Sequence, residues 1–87
     1  MTQSPEDIAK IVRECILAVD PGLAAVAFDD ETKFTTLGVP SIIMITIVFE
    51  IEERFDISII DAGLDDFETI GELRDAVLTL LARKAAA

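Results

Sequence analysis

Three stretches of this chain repeat apolar residues at helical spacing, separated by two stretches that do not. In the first, Ile8, Ile11, Val12, Cys15, Ile16 and Val19 recur at three- and four-residue steps, the stripe of an amphipathic helix. Ser4-Pro5-Glu6-Asp7 offers a Ser cap, a proline at the first helical position and acids in the first turn. Asp20-Pro21-Gly22 stops it, so the pattern predicts a helix over 4–19. In the last stretch, Thr69-Ile70-Gly71-Glu72 has the form of a capping box, and Ile70, Leu73, Val77, Leu80 and Leu81 keep helical step to about residue 83. Arg83 and Lys84 suit that helix's negative end, and 85–87 read as a frayed tail.

The middle stretch is different in kind. Pro40 biases Val39 to an extended conformation and cannot continue a preceding ladder, so a helix is predicted over 41–55 with Ser41 in its first turn. Ile47, Ile51 and Phe55, with Met44 and Val48, make one apolar face, yet Ile42, Ile45 and Phe49 fall off it. A surface helix needs a polar back, and this one lacks it over its first two turns. Either it is buried centrally, or its outer side meets a partner or an acyl chain. Leaving three large apolar side chains uncovered forgoes about 1.5–3 kcal/mol for each.

Residues 23–40 show no sustained period, with Phe34, Leu37, Val26 and Phe28 as candidate anchors of a long loop that is functional or holds a short helical turn. Asp29, Asp30 and Glu31 lack the alternation of a calcium loop and read as solvated. Ile57, Ile59 and Ile60 have no second strand to pair with, which predicts a short extended piece followed by one helical turn over 64–67. The fold class is therefore all-α, a small four-helix bundle of three main helices and one short one with a long first loop, and residues 1–87 form a single domain.

Composition narrows the chemistry. With 52% hydrophobic and 28% charged residues and no apolar run longer than the six of Leu23 to Phe28, the chain reads as a cytoplasmic protein without a spanning segment or signal peptide. Its net charge of −10 disfavours nucleic acid. The same charge fits partners with basic patches, or serves only to keep a hydrophobic small protein in solution. One cysteine and no histidine leave no disulfide, no histidine base and no ordinary zinc site. Cys15 reads as a core residue, and the chain as one that carries something rather than transforming it. Ser41, at a helix N-terminus where backbone N–H groups lack partners, is well placed to hold an anion; Ser is also a favoured helix cap.

The segments Leu37-Gly38-Val39-Pro40-Ser41-Ile42 and Glu52-Glu53-Arg54-Phe55-Asp56-Ile57, with the helix spacing, size and acidity, resemble the acyl carrier protein family, whose pattern peptidyl carrier domains share. The resemblance runs from Ile8 to Leu81. It implies that Ser41 receives a covalent 4′-phosphopantetheine arm from coenzyme A, added by a separate phosphopantetheinyl transferase. The arm's thiol then holds acyl groups as thioesters for acyl-loading and acyl-processing enzymes. Two departures stand out: Pro40 occupies the place of the family's usual Asp before the Ser, and Ile43 and Thr46 stand where fatty-acid carriers place early acids. Docking is then expected to rest on Ile42, Ile45 and Phe49 with Glu50, Glu52 and Glu53, against partner patches that are both apolar and basic.

The expectation is a monomeric, non-catalytic carrier in fatty-acid, specialised-lipid, polyketide or other secondary-metabolite synthesis, with no metal. The alternative is an interaction module of the same fold with bare Ser41, binding or dimerising through the apolar face of the second helix. Hydrolysis with Ser41 as nucleophile lacks a histidine, and Lys33 is the nearest candidate base.

Overall fold

A computed structural model describes residues 4–86. Three α-helices, α1 (Pro5–Val19), α2 (Ser41–Phe55) and α3 (Ile70–Ala86), are joined by a 3₁₀ turn, Pro21–Ala25, and two irregular connections. Among the described residues there is no strand, only an isolated antiparallel bridge between Lys33 and Thr69. The bundle thus has three helices rather than four. The predicted helical turn over 64–67 is absent: turns occupy 59–63 and end at Gly63, whose φ of 73° is left-handed. Beyond it the chain is drawn out along the first loop, where the Phe34 N–H donates to the Glu68 carbonyl at 3.0 Å.

α1 starts on a complete capping box, with Asp7 N–H donating to Ser4 Oγ at 3.2 Å and Ser4 N–H to Asp7 Oδ2 at 3.5 Å. It buries Ile8, Val12, Cys15 and Ile16 and packs against both α2 and α3. α2 meets this core with Ile47, Val48, Ile51 and Phe55, and α3 with Leu73, Val77 and Leu80. Cys15 is fully buried among them.

The end of α2 is closed from a distance. Asp56 turns left-handed at φ 55°, and Lys84 Nζ donates to the Asp56 carbonyl and to Asp56 Oδ2, each at 3.1 Å. Lys84 therefore serves the last turn of α2, not only the end of its own helix as its position predicts. α3 runs on through Ala86, so the frayed tail predicted from residue 85 is helical at 85 and 86, and Ala87 lies outside the described residues.

At the start of α3 only half of the predicted capping box forms. Glu72 N–H donates to Thr69 Oγ1 at 3.1 Å, but the Glu72 carboxylate receives the N–H of Glu68. The N–H groups of Ile70 and Gly71 instead donate to the carbonyls of Thr32 and Asp30, at 3.1 and 2.9 Å. Arg74 pairs with Asp30, whose hydrogen bond holds the guanidinium pKa above its ordinary value. Asp30 is thus tied to α3 rather than merely solvated. Asp29 also works locally, accepting from Glu31 N–H and Thr32 Oγ1. Of the predicted loop anchors, Phe34 is buried, Leu37 is half-buried, and Phe28 is half-buried beneath the Arg13 guanidinium, 4.5 Å from its ring centre. Val26 is exposed and anchors nothing.

Candidate functional site at the start of the second helix

Gly38 at φ 70° and Pro40 at ψ 155° turn the chain into α2. Pro40 is the residue that flanks the helix, and it makes no side-chain cap. Ser41 is therefore the first helical residue, not the cap, and its exposed side chain takes no part in closing the helix. The first intrahelical bond runs from Met44 N–H to the Pro40 carbonyl at 3.0 Å, which leaves the N–H groups of the first turn open. No acid stands in that turn. The lack of early acids, a departure from the family pattern, leaves the positive end of a 15-residue helix without a carboxylate of its own first turn beside the Ser41 hydroxyl.

Ser41 lies on the rim of a cavity of about 450 Å³ between α2 and the loop ends that meet near the Lys33–Thr69 bridge. Phe34, Val39, Met44, Ile45 and Phe67 give this cavity its apolar wall, and Lys33, Thr35 and Glu68 join Ser41 as its polar side chains. A second, open cavity of about 190 Å³ adjoins Met44, Ile45 and Phe67 as well, and is lined besides by Val48, Ile60 and Asp65. Val39 and Phe67 were not legible as site residues, because both lie in aperiodic sequence. Phe67 carried one weak signal, a lone aromatic within the acidic run 65–68.

Ile42, Ile45 and Phe49 project outward, 73%, 49% and 55% exposed. Glu53, one turn beyond Phe49, continues that line on the exposed surface, whereas Glu50 is half-buried. Glu52 departs from its expected place among the docking acids. Its carboxylate receives the N–H of Ile59 at 2.6 Å and of Ile60 at 3.1 Å, fastening the connection after α2. Burial pushes the Cys15 thiol pKa up, so it is not poised as a nucleophile. Among the described residues no helix is long and apolar enough to cross a membrane, and no cluster of His, Cys, Asp or Glu is placed to hold a metal ion.

Residues 10–77 match the family described as "Phosphopantetheine attachment site". The chain is 34% identical over 86 residues to acyl carrier protein 4, chloroplastic, of Arabidopsis thaliana. That match takes in 98% of this chain and 59% of the relative. No solved structure matches. The cofactor of the matched family is covalent 4′-phosphopantetheine, and the start of α2 fits it: an exposed hydroxyl, open first-turn N–H groups, no acid in that turn and a lined cavity alongside. A match over most of the length, on a three-helix fold of this form, makes the chain a member of the phosphopantetheine-attachment family, of acyl carrier type.

Proposed function

We propose that this chain is an acyl carrier whose Ser41 Oγ is the attachment point of the arm. The observation that carries the reading is the setting of Ser41: exposed at the first position of α2, free of any capping duty, and on the rim of an apolar-walled cavity. In the transfer, Ser41 Oγ forms a bond to the phosphorus nearer the pantetheine of coenzyme A. The bond to the nucleotide phosphate breaks, and the hydroxyl proton passes to the transferase. The chain's own part is to present the hydroxyl, and the positive end of α2 then stabilises the phosphodiester. The group supplies a thiol that holds an acyl chain as a thioester. The Met44, Ile45 and Phe67 walls offer that chain a place out of water.

Partners dock, on this reading, on Ile42, Ile45 and Phe49, with Glu53 and the half-buried Glu50 meeting cations at the edge of the contact. Three exposed large apolar side chains in place of early acids support a dedicated set of partners and a specialised lipid or secondary-metabolite pathway. The chain does no catalysis of its own, and Ser41 has no histidine to activate it. One observation favours a second reading: the same bare apolar face would serve an interaction module with Ser41 unmodified.

Intact mass separates the two. Incubated with coenzyme A and several phosphopantetheinyl transferases, the wild-type chain is expected to gain one phosphopantetheine, and Ser41→Ala none, with its far-UV circular dichroism unchanged. A gain on Ser41→Ala would remove Ser41 as the site. No gain on the wild-type chain with any transferase would favour the bare module.

A further inference from the structure

Ser41 sits in the least acidic part of a strongly acidic chain. The net charge is −10, yet from Thr32 to Phe49 no acid occurs and Lys33 is the only charged side chain. Folding brings that cation to the same place as the hydroxyl, because Lys33 and Ser41 line the same open cavity of about 450 Å³. The backbone of Lys33 is fixed. It is bridged to Thr69, and its carbonyl accepts the N–H groups of Thr36 at 3.0 Å and Leu37 at 3.3 Å. Lys33 is nevertheless exposed, and among the described residues its ammonium enters no ion pair; Arg54, Arg74 and Lys84 supply the cations of those that form. Glu68 is the one acid on this cavity, and it is not paired with Lys33.

We propose that Lys33 is the counter-ion of the arm's phosphodiester: its ammonium pairs with the phosphate on Ser41 and holds the root of the arm against the first loop. This rests on the acyl-carrier reading above and adds a binding residue for the same group. A phosphodiester on Ser41 Oγ is an anion at the cavity rim. The open N–H groups of the first turn of α2 meet it from the helix, and Lys33 meets it from the loop. A lysine suits the task, being a point charge on a flexible stem that can follow a phosphate without demanding a fixed geometry. The gap in the acids spares the diester the repulsion that the rest of the chain would give it.

The test compares thermal unfolding of the bare and the armed protein in wild type, Lys33→Gln, Lys33→Glu and Lys33→Arg. Each is armed to completion with excess transferase, and attachment is verified by intact mass. At low ionic strength, attachment is expected to raise the wild-type midpoint by about 3 °C more than that of Lys33→Gln, the contribution of one exposed ion pair in a domain of this size. Lys33→Glu should fall further behind, and Lys33→Arg should keep the wild-type gain. The bare forms of wild type and Lys33→Gln should melt within about 1 °C of each other, since the ammonium has no partner before attachment. Equal gains in wild type and Lys33→Glu would overturn the pairing. So would an equal loss in bare and armed Lys33→Gln, which a merely structural lysine would give. Lys10→Gln makes the same change of charge at an exposed position of α1, and an equally reduced gain there would overturn the pairing in favour of net charge. Failure of the wild-type chain to take the arm at all would overturn the carrier reading itself, and is seen in the mass before any melting.

Discussion

Removing the Glu52 carboxylate tests whether one acid of the cluster at the end of α2 is structural. Its Oε2 receives two backbone N–H groups, from Ile59 at 2.6 Å and Ile60 at 3.1 Å, and Ile59 is fully buried. In Glu52→Ala the Ile59 N–H is left without its acceptor where water has poor access. A hydrogen bond to a charged group contributes about 1.5–3 kcal/mol, and an orphaned buried donor costs a similar amount. About 2 kcal/mol is therefore expected to be lost. For a domain of this length each kcal/mol moves the melting temperature by about 4–8 °C, so the midpoint should fall by roughly 10 °C. Glu52→Gln retains a neutral acceptor of the same reach and should lose about half as much. Glu53→Ala, one position on and fully outside this network, should stay within about 0.5 kcal/mol of wild type. Urea unfolding followed by far-UV circular dichroism measures all three. If Glu52→Ala and Glu53→Ala were equally stable, the carboxylate would not be fastening the connection, and Glu52 would return to the docking acids.

Two further outcomes are expected. A Cβ on Gly71 would stand 2.9 Å from the Asp30 carbonyl oxygen, so Gly71→Ala should lose about 1 kcal/mol in urea unfolding despite alanine's better helix propensity; a gain would refute the close approach. Because burial raises the Cys15 thiol pKa, a thiol reagent should label native protein far more slowly than protein in urea. The linkage has a definite sign. Stability is full while the thiol is protonated in both states, and declines as pH rises above the free thiol's ordinary 9.0 towards the raised folded value. Cys15→Ala should lack that decline, and an identical alkaline profile in both proteins would refute it.

Much of this architecture is local in origin and could be read from the chain alone. Pro40 followed by fifteen residues of unbroken helical periodicity determined α2 to its observed bounds, and Ser4-Pro5-Glu6-Asp7 determined the start of α1. The lack of a polar back on α2 left a choice between central burial and an outward apolar face, and the exposure of Ile42, Ile45 and Phe49 decides for the second. Helix periods and caps act over three or four residues, so a linear pattern carries them in full.

Only the tertiary structure decided which of several similar acids does what, because the deciding partner lies far along the chain. Asp30 looks like its solvated neighbours until Arg74 arrives from 44 residues away, and Glu52 looks like Glu53 until the connection folds back and presents two N–H groups to it. The same holds for 64–67, which the structure leaves without a helical turn where the chain runs on to pair with the first loop at Glu68 and Thr69. The cavity wall at Phe67 belongs to this class as well. A cavity is a relation among elements that have already packed, and no spacing within one segment encodes it.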